Sequence, residues 1–212
     1  AKLIDYGKYK YNEKIKARMR IGLFCGCFDP IHLGHIRAAE ACRSSAGLER
    51  VLFVPASDKY GKAGLSMQSG LHRLAMCRLA LNNCEGFDVC PFELESPDAP
   101  YTSETAAYVQ GLYPGAELYL CLGEDAARYA MRWSCFEELK SGVRFLVIER
   151  GGAGKEVVKA LSFAGAIASE VPLEPDGVSS TAVRRKLARG EDYIPELDSS
   201  VYRYIREKSL YV

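Results

Sequence analysis

The sequence predicts an α/β fold, a Rossmann-like doubly wound parallel sheet with C-terminal helices. Three observations predict it. Short, continuous apolar runs recur along residues 19–171, segments with helical spacing separate them, and 48% of the 212 residues are hydrophobic. Apolar runs of strand length without alternation suit strands buried on both faces. Strands that alternate with helices imply right-handed βαβ crossovers.

In chain order the candidate strands are MRIGLFC (19–25), RVLFVP (50–55), FDVC (87–90), ELYLCLG (117–123), VRFLVIE (143–149) and AIASEV (166–171). The intervening segments 34–46, 68–83, 103–112, 126–140 and 154–162 read as helices. After the loop PLEPDG, two more helices are expected over 179–189 and 198–208. There is no internal repeat and no low-complexity tract. Residues 19–212 therefore read as a single domain, preceded by an extension over residues 1–18.

That extension carries much of the charge asymmetry. Residues 1–20 hold seven bases against two acids, a net of +5, which leaves 21 bases and 25 acids in residues 21–212. The reading favoured for the arm is a solvated one, over a phosphate-binding tail. With 28 Lys+Arg against 27 Asp+Glu overall, a nucleic-acid partner or membrane surface held by bulk charge is not expected. No run reaches the roughly 18–20 apolar residues of a membrane span, and the segment AKLIDYGKYKYNEK lacks the apolar centre of a signal peptide. A cytoplasmic setting is the expectation. The eight cysteines contain no C-x-x-C pair and sit mostly among apolar neighbours, so they read as reduced, buried thiols rather than a disulfide framework.

In a doubly wound sheet, ligands bind beyond the carboxyl ends of the strands, near the switch point. The loops 26–35, 56–67, 123–133 and 149–154 are the places to look. The first reads Gly26-Cys27-Phe28-Asp29-Pro30-Ile31-His32-Leu33-Gly34-His35, and holds two of the three histidines in the chain. Glycine lets backbone approach a bulky anion, and a helix start offers N–H groups with partial positive charge. Spacing of i and i+3 puts His32 and His35 on one side of the first turn, where both could donate to phosphate oxygens. The plainer alternative is one capping and one packed imidazole; the paired set in a strand–loop–helix context favours phosphate.

GLFCGCFDPIHLGHI resembles the opening motif of the H-x-G-H nucleotidyltransferases, and most closely that of the nicotinate-nucleotide adenylyltransferases, Gly-Gly-Thr/Ser-Phe-Asp-Pro-x-His-x-Gly-His. VPASDKYGK with LHRLAMCRLAL, FELES before PYTSET, LCLGEDAARYAMRW with FEELK, VSSTAVRRKL and VYRYIREKSLY agree in order and spacing. The likeness spans residues 19–212. Class I aminoacyl-tRNA synthetases carry a similar first motif, but this sequence has Ser-Ser-Thr-x-x-Arg at 179–184 and no Lys-Met-Ser-Lys-Ser-like stretch.

The resemblance implies transfer of AMP from MgATP to the phosphate of nicotinate mononucleotide, with release of deamido-NAD and pyrophosphate, in NAD biosynthesis. It implies no protein nucleophile, so Cys25 and Cys27 are not expected to be catalytic. His32, His35 and Arg184 would be the catalytic residues. Gly26, Cys27, Phe28, Ser179, Ser180, Gly123, Asp125 and Arg150 would complete the ATP site, and Lys62, Tyr101, Thr102 and Trp133 the acceptor site. Mg²⁺ would arrive with ATP, no metal ligand being assigned to the protein, and Asp29 would order its loop. A homo-oligomer stays open. The serine hydroxyls at 179–180 could cap their helix or meet phosphate, and Trp133 could stack on a pyridine ring or pack the end of its helix. Arg185, Lys186 and Arg189 read as surface charges.

Two departures stand out. Cys25 and Cys27 replace the usual Gly and Thr/Ser, and Lys59-Tyr60-Gly61-Lys62 replaces Pro-Pro-His-Lys, keeping only the final base. The second loop bears on whether the acceptor carries a nicotinate carboxylate or a nicotinamide amide. The other readings are transfer to nicotinamide mononucleotide or another phosphorylated acceptor, and a nucleotide-binding regulator without turnover.

Overall fold

The computed structural model describes residues 19–60, 68–174 and 177–212. In chain order the strands are β1 (Arg20–Gly26), β2 (Arg50–Pro55), β3 (Phe87–Val89), β4 (Glu117–Gly123), β5 (Val143–Ile148) and β6 (Ala168–Val171). They form one sheet in the order β3-β2-β1-β4-β5-β6, and every pair is parallel. The chain reverses its direction of travel between β1 and β4, so the loops leaving these neighbours diverge and open a crevice.

Alternation along each strand divides the core in two. Phe24, Phe53, Tyr119, Cys121 and Leu146 face one side; Leu23, Leu52, Leu120, Leu122 and Val147 face the other. Covered on both faces, the sheet requires the uninterrupted apolar runs from which the strands were read. Onto the first face pack α1 (Leu33–Ala46), α2 (Gly70–Leu81), α8 (Ser180–Ala188) and α9 (Ser199–Glu207). Onto the second pack α4 (Thr102–Leu112), α5 (Glu124–Ala130), α6 (Phe136–Gly142) and α7 (Gly154–Phe163). The short α3 (Phe92–Glu95) and a 3-10 turn at Asp58–Tyr60 complete the described elements.

The segment expected as one helix over 126–140 is two. Arg132 and Trp133 donate their N–H groups to the carbonyls of Tyr129 and Ala130 at 2.9 and 3.0 Å, a tightened last turn that closes α5. The reason lies in packing. Ala127 and Ala130 must face the same core as Phe136 and Leu139, yet residues nine apart lie on opposite sides of a continuous helix. Breaking the helix re-aims the second pair. The first turn of β6, expected from 166, starts at 168.

Candidate active site

The loop after β1 is held from several directions. Gly26 ends the strand, and a Cβ there would stand 3.0 Å from the Phe28 ring, so only glycine lets the chain fold back over that ring. Phe28 adopts φ 49°, a left-handed backbone that bulky residues rarely take. Packing holds it: the ring is 2% exposed and lies 5.9 Å from Phe24, 5.5 Å from Phe53 and 5.1 Å from His35, centroid to centroid. Phe28 thus supports the loop from beneath, and its side chain belongs to the core.

His32 and His35 meet as the i, i+3 spacing predicts. Their rings stack at 3.7 Å across the start of α1, and His32 is buried. The His32 backbone N–H donates to His35 Nδ1 at 3.2 Å. An Nδ1 that accepts this bond leaves Nε2 to carry the ring hydrogen, which gives a neutral His35 one outward donor. Gly34, buried between them, leaves the turn without a side chain.

The second motif closes on the first. Ser180 Oγ donates to the Pro30 carbonyl at 3.0 Å, and Arg184 Nη1 donates to the Asp29 carbonyl at 2.7 Å. Ser179 caps α8, its Oγ accepting from the Ala182 N–H at 3.2 Å, so the capping alternative is the one realised here. Arg184 Nη2 donates to Thr181 Oγ1 at 3.3 Å. Lys186 differs from the expectation of a surface charge: it pairs with Glu196 at 2.5 Å, and the Glu196 carbonyl accepts the Leu33 N–H at the start of α1.

Asp29 is 4% exposed. Its Oδ1 accepts from the Tyr211 hydroxyl at 2.6 Å and from the Gln68 N–H at 3.2 Å, while Oδ2 lies 3.9 Å from Arg184. The carboxylate is thereby committed to ordering the loop. Burial and the bond to Asp29 push the Tyr211 phenol well above its usual pKa, so it remains a donor.

Two buried charged residues escaped sequence reading. Arg73, fully buried on α2, donates to the carbonyls of Cys27 and Ala56 at 2.6 Å each and of Gln68 at 3.1 Å, and pairs with Asp58 at 2.7 Å. It ties the β1 and β2 loops together. Glu93 on α3 is 3% exposed and accepts from Thr105 Oγ1 at 3.0 Å. Desolvation pushes its carboxyl up to about 7, against the Thr105 and Ser57 hydrogen bonds and the Arg73 charge.

The remaining predicted residues lie on other elements. Gly123 ends β4 beside Ile148 of β5, with open space where a Cβ would stand; tightness at this position is therefore not a feature of the protein alone. Asp125 and Arg150 are exposed at the carboxyl ends of β4 and β5. Tyr101, 58% exposed, precedes α4, with its N–H held by Glu104 at 2.7 Å, and Thr102 starts that helix half-buried. Trp133 sits in the turn between α5 and α6, packed on one side against the core. Lys62 lies outside the described residues. The eight cysteines are free thiols, five of them buried. Burial pushes Cys77 up to about 12 and holds Cys25 well above the ordinary thiol value, while the hydrogen bond with Cys42, and then burial, do the same to Cys121.

The chain is similar to known proteins along most of its length. A family model described as cytidylyltransferase-like matches residues 23–186. Proteins named probable nicotinate-nucleotide adenylyltransferase are 33% identical in Shouchella clausii and 35% identical in Roseiflexus castenholzii. The matches cover 91% of this chain in both cases and 96% and 98% of those proteins. The nicotinic acid mononucleotide adenylyltransferase of Plasmodium falciparum, solved with APC and with NaAD, superposes with TM-scores of 0.70 and 0.69 at 20% and 21% identity. Each superposition covers 91% of this chain and 97% of that one, a likeness that establishes the fold. With a third of residues shared along nearly its whole length with such relatives, the chain belongs to the nicotinate-nucleotide adenylyltransferase family.

Proposed function

We propose that this chain transfers AMP from MgATP to the phosphate of nicotinate mononucleotide, giving deamido-NAD and pyrophosphate, as a cytoplasmic enzyme of NAD biosynthesis. The observation that carries the reading is the stacked His32–His35 pair at the start of α1, beside the β1–β4 switch point and just after the Asp29–Pro30 turn that Ser180 and Arg184 clamp. A phosphate oxygen of the acceptor attacks the α-phosphorus of ATP. One P–O bond forms as the bond to the β-phosphate bridging oxygen breaks, and pyrophosphate leaves with the electron pair. Both reactants are anions, so catalysis rests on alignment and on neutralising charge.

The residues divide that work. His35 Nε2 donates to phosphate oxygens, with His32 stacked against it, while Gly26 and Cys27 offer backbone N–H groups. Arg184 keeps the Asp29 turn in place through one guanidinium nitrogen and has a further face for the triphosphate. Gly123, Asp125 and Arg150 would flank the adenosine at the ends of β4 and β5. Lys62, Tyr101, Thr102 and Trp133 would receive the pyridine nucleotide. Mg²⁺ would arrive with ATP and would neutralise phosphate charge without a protein carboxylate, which is compatible with an Asp29 carboxylate already taken by Tyr211 and Gln68. Residues 19–212 act as the single catalytic domain and residues 1–18 as a basic extension.

The test offers purified protein MgATP with nicotinate mononucleotide, nicotinamide mononucleotide or phosphopantetheine, and follows pyrophosphate. Release is expected to be fastest with nicotinate mononucleotide. Preference for another acceptor would move the substrate assignment, and no release with any of them would overturn the reading.

A further inference from the structure

Glu93 has no part in the chemistry above, yet it is almost fully buried and joins separate pieces of the acceptor side. Thr105, itself 0% exposed, donates to Glu93 Oε1 at 3.0 Å. It lies three residues beyond Thr102 on α4, one helical turn below the Tyr101–Thr102 start. From the other direction the carboxyl accepts the backbone N–H of Ser57, a residue 2% exposed in the loop that follows β2. The next residue, Asp58, is fixed by Arg73 and by the Gly70 N–H at 2.8 Å. Phe92 stacks on Tyr108 at 4.2 Å, which seats α3 against α4 and keeps Glu93 between them. The ionisable neighbour acting on this buried group is Arg73 of α2, and its own charge, added to burial, in turn raises the thiols of Cys25 on β1 and Cys90 beyond β3.

The loop after β2 and the start of α4 are the two protein segments that the functional reading assigns to the pyridine nucleotide. Among the described residues, the hydrogen bonds of Glu93 run to Thr105 and Ser57. We infer that Glu93 is a positioning residue for the acceptor: by bridging Thr105 to Ser57 it fixes the span between the β2 loop and the Tyr101–Thr102 turn. This inference rests on the proposed function. A hydrogen bond in a buried site holds a helix end only while both partners are present, and loss of one leaves the other buried and unsatisfied. The span would then relax while the ATP side, which is secured by Arg73, Ser180 and Arg184, stays in place. A second consequence follows from burial, which pushes the Glu93 carboxyl up to about 7. Near neutral pH it gains a negative charge on the side that receives an acceptor bearing a phosphate and a carboxylate.

The test is steady-state kinetics of Glu93→Ala, Glu93→Gln and Thr105→Val, varying each substrate in turn from pH 6 to pH 8, with folding checked by circular dichroism. For Glu93→Ala and Thr105→Val the KM for nicotinate mononucleotide is expected to rise about tenfold, with the KM for ATP and kcat changed by no more than about twofold. Glu93→Gln keeps an oxygen for Thr105 and is expected to stay within about threefold of the parent at pH 6. The ratio of parental to Glu93→Gln acceptor KM is expected to rise through pH 7, because only the parent gains a charge. A parallel rise in both KM values, or no change in either, with the parent active, would overturn the inference while leaving the function intact. A parent inert towards every pyridine mononucleotide would instead overturn the functional reading. If Glu93→Ala does not fold, Thr105→Val decides the question.

Discussion

The loop after β1 and the segments joined by Glu93 are stabilised in different ways. The β1 loop is gripped by its backbone: Arg73 takes the Cys27 carbonyl, Arg184 that of Asp29 and Ser180 that of Pro30, while Tyr211 holds the Asp29 side chain. These come from α2, α8 and the C-terminal segment, so the proposed phosphate cradle is held by the protein's own contacts. The acceptor side is tied through side chains on short elements, with one neutralisable carboxyl at its centre. On the proposed function, pre-organisation is greatest where the chemistry would be shared by every turnover, and adjustment is left where the acceptor would be chosen.

Removing the grip common to both sides should have the largest effect. Arg73→Met would leave the carbonyls of Cys27, Ala56 and Gln68 without their donor inside a buried site, and should cost on the order of 4 kcal/mol of stability in urea titration. A loss below about 1 kcal/mol would mean that the two loops do not depend on it.

Next comes the acceptor-side carboxyl. Folded Glu93 keeps its proton up to about pH 7, whereas its ordinary value is 4.5. Between these values the folded state binds more proton than the unfolded one, so stability falls as pH rises through that window and is fullest below it. The total change is on the order of 3 kcal/mol, and Glu93→Gln should flatten this slope in chemical denaturation from pH 4.5 to pH 7.5. An unchanged slope would place the titration elsewhere.

His35→Ala should then reduce turnover about 10- to 150-fold through loss of one charge-assisted contact, with the circular dichroism spectrum preserved. Near-normal turnover would remove His35 from the phosphate site. Tyr211→Phe should have the smallest effect, raising the KM for ATP roughly threefold to tenfold, since Asp29 keeps the Gln68 N–H. An acceptor-specific effect would blur the contrast between the two sides.

Most of the fold could be read from the sequence because strands buried on both faces leave continuous apolar runs, and the glycine–histidine loop could be read because its spacing is local. Contacts across the fold leave weaker marks. Arg73 has one: with Cys77 and Ala80 it lies on the buried stripe of α2, where a solvated arginine would not be placed. Glu93 sits between Phe92 and Leu94 in a helix of four residues, too short to show a period, and its partner Thr105 lies twelve residues on. Tyr211 meets Asp29 across 182 residues, and no local pattern encodes that pairing. The break at 131–135 was missed because the apolar spacing on each side fits a helix; only the shared core requires two.

The central claim is that AMP, rather than pyrophosphate or the terminal phosphate, passes to the acceptor within the cradle at His32 and His35. ATP labelled at its α-phosphorus, incubated with nicotinate mononucleotide, Mg²⁺ and the protein, tests it directly. The label should appear in the dinucleotide and be absent from pyrophosphate, in step with consumption of the acceptor. Label remaining in ATP, or appearing as free AMP while the acceptor is unchanged, would contradict the account.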